Sequence, residues 1–404
     1  MTPRPLSVLL VSHATVRSGA EEHILQLLCG LDRRYFRLNL ACTPELAGLF
    51  GKDLPSDVQV VRVDPNRLSD LRGAWRVRTA IREWKVDILH CHMFRASLFA
   101  SPIGWLCRVP VIIETPHVRE FWRRGRLKSK YFVDRSVGKL IDHYIAVSSA
   151  NARYLIEQKK LPATKIRVIQ NACNVDHFYP SRPVPPGMRR ALGLEEQHLV
   201  LVVLGRLEPQ KGHKVLLNAM PEILRAYPNV RLLCVGDGAL RAELERQAEV
   251  LGIREAVRFV GYQTNTADWL ALADVSVLPS YCEGLPLVAI ESLAAGRPMV
   301  ATAVDGTPDV VLDGKTGLTV PPGDSNRMAE AICRLLGDEE LRRSLAAAGR
   351  QHVLQSFSIE KFIQKTQEFY LSAWDMYTRQ ASNEQLEDIR DGSAILNNQT
   401  NSRL

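Results

Sequence analysis

The chain has no Asp-x-Asp pair, the carboxylate clamp that many enzymes use to hold a divalent ion on a diphosphate. It has no Gly-x-Gly-x-x-Gly run, which argues against a nicotinamide-dependent oxidoreductase. Asp313-Gly314-Lys315-Thr316 imitates the end of a P-loop, but Asp309 stands where the loop needs glycine. The eight cysteines form no Cys-x-x-Cys pair and no dense framework. They fall mostly in apolar segments, so reduced, buried thiols are expected. The uncharged stretch from Ala96 to Cys107 is too short for a membrane span and contains Pro102. The opening Met1-Thr2-Pro3-Arg4-Pro5 runs directly into Leu6–Val11. That run is too short for the apolar region of a secretion signal, so a cytoplasmic protein is expected.

At 404 residues, 46% apolar and 24% charged, the chain fits a soluble protein of two α/β domains. The net charge of +8 is unevenly spread. Residues 1–179 hold 28 Lys and Arg against 16 Asp and Glu, leaving 24 against 28 in the remainder. A basic first half points to an anionic partner. No helix-turn-helix, zinc or RNP-type pattern supports nucleic acid. An anionic membrane or a lipid-phosphate acceptor is the better match.

Apolar runs at 6–11, 37–42, 58–63, 86–91, 109–113, 144–148 and 166–169 read as strands alternating with helices. The same rhythm resumes at 200–204, 230–235, 257–260, 275–278 and 299–302. A βαβα order calls for parallel sheets covered by helices on both faces. The Pro-rich stretch 180–187 marks the linker. This places a first Rossmann-like domain at 1–179 and a second at 180–356. A helix at about 357–379 and a disordered polar tail at 380–404 follow.

The stretch Pro279 to Pro298 carries the most chemical information. A strand ends there, Glu283-Gly284-Leu285 turns, and Pro286 suits the first position of a helix reaching about Ala295. A helix start presents free N–H groups and a positive dipole end to an anion. Glu283 and Glu291 flank it, and carboxylates accept from sugar hydroxyls. Phosphate donors beside hydroxyl acceptors suggest a nucleotide-sugar pocket. In Gly205-Arg206-Leu207-Glu208-Pro209-Gln210-Lys211-Gly212, two cations at the mouth of the second sheet can grip a diphosphate. Ser18-Gly19-Ala20-Glu21 opens the first helix, where glycine lets a phosphate approach the backbone. His90, His92 and His117 sit at strand ends, where ligands collect in open α/β sheets. His90 and His92 read as structural. No acidic fourth ligand stands at a familiar spacing, so the three are not read as a zinc site.

Glu283-x7-Glu291 inside Ser280-x-x-Glu-Gly-Leu-Pro286 resembles the signature of the family 4 glycosyltransferases, retaining enzymes of the GT-B fold. The Arg206–Gly212 element is similar to that family's Gly-Arg-x5-Lys-Gly. Gly236 in Val235-Gly236-Asp237-Gly238 resembles its Gly-Asp-Gly turn, and Phe259–Tyr262 its base-bordering stretch. Departures are Ser18 for a usual glycine, Asp305-Gly306-Thr307-Pro308-Asp309 for Gly-Gly-x-Pro-Glu, and Asn171–Asp176 at the interdomain turn. The resemblance covers about residues 6–355. It implies two Rossmann-like doubly wound domains facing across a cleft, with a C-terminal helix crossing back to the first.

The resemblance also implies roles for individual residues. Arg206, Lys211, Gly236, Glu283, Gly284, Leu285 and Glu291 would bind the donor, Glu291 at the ribose and Glu283 with the 284–286 backbone at the sugar. Gly19 would contact the donor from the first domain, and His117 would face the donor sugar. His117, Arg206, Lys211 and Glu283 are the expected catalytic group, with no metal and no cofactor. Arg119–Phe132 packs six basic residues and four aromatics, so Trp122, Arg123, Arg124 and Arg126 are expected at an acceptor or membrane surface. The expected partners are a nucleotide-sugar (UDP- or GDP-sugar) and a lipid-linked or glycan acceptor on the inner membrane face. Two other readings stay open: a sugar-nucleotide epimerase, which needs no acceptor, and a non-catalytic subunit that activates a partner transferase.

Overall fold

The computed structural model describes residues 4–67, 69–118 and 131–400, with side chains to Ser382. Segment 119–130, with Trp122, Arg123, Arg124 and Arg126, therefore lies outside the described residues.

The first sheet contains β1 (Leu6–Ser12), β2 (Phe36–Cys42), β3 (Gln59–Arg62), β4 (Ile88–His92), β5 (Val111–Thr115), β6 (His143–Ala146) and β7 (Ile166–Val168). Its order is β3-β2-β1-β4-β5-β6-β7, all parallel. Around it lie α1 (Gly19–Gly30), α2 (Pro44–Phe50), α3 (Leu71–Glu83), α4 (Phe94–Leu106), α5 (Tyr131–Gly138) and α6 (Ser149–Arg153). A short α7 (Met188–Ala191) leads into the second domain.

The second sheet contains β8 (Leu199–Leu204), β9 (Val230–Val235), β10 (Val257–Gly261), β11 (Val275–Leu278), β12 (Met299–Thr302) and β13 (Leu318–Val320). Its order is β10-β9-β8-β11-β12-β13, again parallel. Its helices are α8 (His213–Ala226), α9 (Arg241–Val250), α10 (Thr266–Leu272), α11 (Leu287–Ala294), α12 (Thr307–Val310), α13 (Ser325–Gly337) and α14 (Glu339–Ser356). The last helix is α15 (Ile359–Thr400).

Every predicted strand is present, because strands buried on both faces need unbroken apolar runs. The β13 strand was not predicted: it is three residues long, between a Gly-Lys-Thr-Gly turn and Pro321-Pro322. In each sheet the chain reverses direction once, between β1 and β4 and between β8 and β11. A crevice opens at the carboxyl ends of the strands at such a switch point.

In the first domain α1 and α2 pack on one face of the sheet through Ile24, Leu27, Leu46 and Phe50. The other face is covered by α3, α4 and α5 through Val77, Ile81, Phe99 and Val137. Phe362, Phe369, Tyr370 and Ala373 of α15 join the α1–α2 layer, so the last helix crosses back. Burying a large apolar side chain contributes about 1.5–3 kcal/mol, ample to anchor this crossing.

Two sequence expectations are corrected. Helix α15 continues to Thr400 where a disordered tail from 380 was expected. Nothing in 380–400 is proline, so a helix already anchored upstream meets no strong breaker. Pro286 caps α11 from outside, at φ −73° and ψ 110°, and is not its first helical residue.

Candidate active site

Three loops build the second-domain half of the site: 205–212 after β8, 279–286 after β11, and 303–306 after β12. The Tyr281 N–H donates to the Gln210 carbonyl at 2.7 Å, which ties the first two together. Lys211 Nζ then donates to Glu283 Oε1 at 2.6 Å, and Ser280 Oγ donates to the same oxygen at 2.6 Å. Glu283 is only 8% exposed, so its charge is held by a cation and a hydroxyl together. The Arg206 side chain is exposed and makes no hydrogen bond or ion pair among the described residues, while its carbonyl accepts from the Glu208 N–H at 2.8 Å. Burial raises the Glu21 carboxyl on α1 above its ordinary range, and the hydrogen bonds around Ser18, with a smaller part from the Arg206 charge, oppose that shift.

The backbone of Glu283 is also fixed. Its N–H donates to Asp305 Oδ2 at 3.0 Å. Asp305 sits at φ +42°, in the left-handed region where glycine is at ease. An aspartate in that strained position supplies a carboxylate that glycine could not. The N–H groups of Gly284 and Leu285 have no partner among the described residues.

Gly236 has a packing duty. A Cβ there would stand 2.0 Å from the Gly205 carbonyl oxygen, so its absence lets the ends of β8 and β9 meet at a φ of +148°.

Glu291 lies one turn into α11 and accepts from Thr266 Oγ1 at 3.4 Å. Burial pushes its carboxyl up to about 7, and the nearby Glu22 charge adds to the shift. A raised carboxyl favours the folded state fully below its ordinary range near 4.5, and that contribution is lost as pH rises through about 7. Because the residue keeps a partly exposed edge, solvent reduces the effect to about 1–2 kcal/mol. Glu291→Gln should therefore raise the melting temperature of the ligand-free protein at pH 8 and leave it unchanged near pH 5. Equal stability of the two proteins at pH 8 would contradict the assigned environment.

The first-domain half is built on histidine. His92 closes β4 and His117 follows β5. Their Nδ1 and Nε2 atoms share a hydrogen bond at 3.0 Å. His90 Nε2 meets Thr115 Oγ1 at 2.7 Å and its Nδ1 meets the Tyr370 hydroxyl of α15. His23 of α1 holds Asn171 Oδ1 through Nδ1 at 2.9 Å. Burial lowers all four imidazoles, His23 to about 4 and the others well below 6.5, so they are neutral at pH 7. Nitrogens of His23, His92 and His117 lie within 4.8 Å of one another. His23 Nδ1 is tied to Asn171 and His92 Nδ1 to His117 Nε2, which leaves His92 Nε2 and His117 Nδ1 buried without a hydrogen-bond partner.

The two halves touch. A Cβ on Gly284 would fall 1.6 Å from the His117 carbonyl oxygen, so only glycine permits this approach. Asn171 Nδ2 donates to the Leu285 carbonyl at 3.3 Å, linking His23 to the 283–286 loop. The Ser149 N–H donates to Asp309 Oδ2 at 3.1 Å. Gly19 faces Leu287 of α11, with 3.4 Å between its Cβ position and Cδ1. At Ser18, the departure from glycine closes a capping box: its N–H and Oγ donate to Glu21 Oε2 at 3.1 and 2.6 Å.

The structure thus brings Lys211, Glu283, Gly284, Leu285, Gly19 and His117 to one crevice, with Arg206 at its mouth and Glu291 just inside α11. Sequence reading missed His23, Asn171 and Asp305. His23 stands on the buried stripe of α1 beside Ile24 and Leu27, and a polar residue on an apolar stripe was the available signal.

Two family patterns match the chain: "Glycosyltransferase Family 4" over residues 17–177 and "Glycosyl transferases group 1" over 198–338. A D-inositol 3-phosphate glycosyltransferase of Streptomyces coelicolor is 33% identical over 343 residues, 76% of this chain and 73% of that protein. The chain belongs to glycosyltransferase family 4. This family 4 transferase also matches the lipopolysaccharide core biosynthesis glycosyltransferase LpsD of Rhizobium meliloti, 28% identical over 86% of this chain and 93% of that one. Its fold matches the crystal structure of Anabaena HepE in complex with UDP-glucose. There the TM-score is 0.81 at 21% identity, over 91% of this chain and 100% of the other.

Proposed function

We propose that the protein is a retaining, metal-independent hexosyltransferase. It moves a sugar from a UDP- or GDP-sugar to a lipid-linked or polysaccharide-precursor acceptor in cell-envelope glycan synthesis. Its place is the cytoplasm, peripheral on the inner face of the membrane. The observation that carries the reading is the Lys211–Glu283 pair lying beside Arg206 and the unpaired N–H groups of Gly284 and Leu285. Cations, free backbone donors and a carboxylate at one switch point suit a sugar diphosphate. The relative named for lipopolysaccharide core synthesis and the UDP-glucose bound by HepE favour this donor and acceptor class. No helix among the described residues is long and apolar enough to cross a membrane.

In this mechanism Arg206 and Lys211 neutralise the departing nucleoside diphosphate, where charge accumulates in the transition state. The Gly284 and Leu285 N–H groups and Glu283 hold the sugar, and Glu291 holds the ribose hydroxyls. Neutral His117 faces the donor sugar. Glu283, bound to Lys211 and Ser280, is a poor nucleophile. The acceptor hydroxyl therefore attacks the anomeric carbon on the face the phosphate leaves. The carbon–oxygen bond to phosphate breaks as the new one forms, and the acceptor's proton passes to the leaving phosphate. Cations in the site take the part that a metal would play, and contact between the domains limits access of water.

The test is nucleoside diphosphate release from a panel of nucleotide-sugars, with and without membrane lipid extract, beside Glu291→Ala. Release from one donor, stimulated by lipid and lost in the variant, is expected. Conversion of the sugar without diphosphate release would establish an epimerase instead. Donor binding with no turnover on any acceptor would leave a non-catalytic subunit.

A further inference from the structure

We infer that His23, His92 and His117 form a binding site for a zinc-class divalent ion, and that the bound ion inhibits sugar transfer. The site stands on its own geometry, while its inhibitory effect rests on the transferase reading above.

The three imidazoles come from separate elements: α1, the end of β4 and the loop after β5. Nitrogens from all three lie within 4.8 Å of one another, and all three residues are buried. His23 takes the place that sequence order would give to His90. Both His90 nitrogens are engaged, by Tyr370 and Thr115, so that ring offers no ligand.

The tautomer of His23 follows from its neighbours. Asn171 Nδ2 donates to the Leu285 carbonyl at 3.3 Å, so Asn171 Oδ1 is the atom that faces His23. An amide oxygen only accepts, which puts the hydrogen on His23 Nδ1 and the lone pair on Nε2. A ligating histidine is held in this way, its second nitrogen donating to an oxygen behind it. His92 Nδ1 and His117 Nε2 stand 3.0 Å apart. Ligand nitrogens about 2.0–2.1 Å from one ion are themselves roughly 2.9–3.4 Å apart, so the pair is already spaced as two ligands. Their hydrogen bond is weak competition for an ion. It satisfies one nitrogen of each ring and leaves His92 Nε2 and His117 Nδ1 buried without a partner. When an ion takes the inner nitrogens, the shared hydrogen passes to the outer nitrogen of its own ring. Both rings then stay neutral, and no net proton is released.

Ligand chemistry selects the ion. Imidazoles without a carboxylate suit zinc, copper or nickel, and not magnesium, calcium or manganese, which prefer oxygen. Three histidines leave a fourth position for water. Gly284 of the second domain covers the His117 backbone, so the ion enters when the domains part. Inhibition follows from charge. The ion would place two positive charges on the ring that faces the donor sugar, where the anomeric carbon turns positive as the phosphate leaves. A cation there opposes the charge separation that Arg206 and Lys211 favour at the other end of the breaking bond.

The full chain, freed of metal with a chelator, would be dialysed against buffered Zn²⁺ and, separately, Co²⁺. One ion per chain is expected, with the intense visible band of four-coordinate cobalt. His23→Gln keeps an N–H donor for Asn171 and removes the imidazole. It should weaken binding by more than the roughly 10–100-fold that loss of an outer partner costs. His92→Gln, on a different element, repeats the test if His23→Gln folds poorly. Nucleoside diphosphate release by the wild type should fall away at saturating Zn²⁺ and return with chelator. Release by His23→Gln, measured against its own metal-free rate, should resist the same Zn²⁺. No stoichiometric ion, undiminished binding in both variants, or full activity of the zinc-loaded wild type would each overturn the inference. Dialysis and the cobalt band need no turnover. Absent release by the metal-free wild type therefore defeats the transferase reading and leaves the ion site standing.

Discussion

Lys211→Ala should lower kcat/KM for the nucleotide-sugar by about 10²–10³-fold, the range seen when one preorganised transition-state donor is removed. Two effects act in the same direction. The leaving diphosphate loses a cation at the point where its charge develops. Glu283, 8% exposed, also loses the ammonium 2.6 Å away, keeping only Ser280 and the backbone tie to Asp305. A buried carboxylate stripped of its cation is left without its main charge partner. Lys211→Arg should recover part of the rate, since charge is restored but the point contact with Glu283 is not. Steady-state diphosphate release by the wild type and both variants measures this. A Lys211→Ala enzyme within a few-fold of wild type would remove Lys211 from the mechanism.

Gly284→Ala is the second large effect, and it arises from one methyl group. The new Cβ would lie 1.6 Å from the His117 carbonyl oxygen and 2.8 Å from its carbon. Both atoms are backbone, so no side chain can swing aside. The 283–286 loop must retreat, or the two domains must part, by on the order of an ångström, a misplacement that costs about 100-fold in rate. The two sheets have their own cores, so folding should survive. Expected are an unchanged circular dichroism spectrum, turnover about 100-fold lower, and a larger radius of gyration by small-angle scattering. Wild-type turnover would mean that the contact between Gly284 and His117 is not part of the working geometry.

What the sequence disclosed and what it withheld divide along physical lines. Lys211 and Glu283 are 72 residues apart, yet both were legible because each lies in the loop after a strand, in a recognisable local pattern. The strands themselves were legible because burial on two faces leaves few polar residues in them. Asp305 was seen only as a departure from glycine. Its use depends on φ and on where the Glu283 N–H points, neither of which is encoded locally. Asn171 bridges His23 and Leu285 across 148 and 114 residues of chain, so its role exists only after both domains have folded. Helix α15 was cut short because composition reports solvation and not continuity: a polar helix segment and a polar coil read alike. Gly236 carries two demands at once, since a motif that suggests ligand contact also meets the steric need of two strands meeting end to end.

The crossing of α15 back to the first domain bears on how the protein is made. The cluster that holds Ile24, Leu27 and Phe36 is completed by Phe362, Phe369 and Tyr370, more than 300 residues later in the chain. Synthesis proceeds from the amino end, and domains tend to fold as they emerge. Here the domain translated first cannot close its core until the last helix has left the ribosome. Until then an apolar groove on the first sheet stands open to water. The second domain is finished earlier, although it begins later. Order of translation and order of completion are thus inverted, and the nascent chain depends on protection of that groove for most of its synthesis.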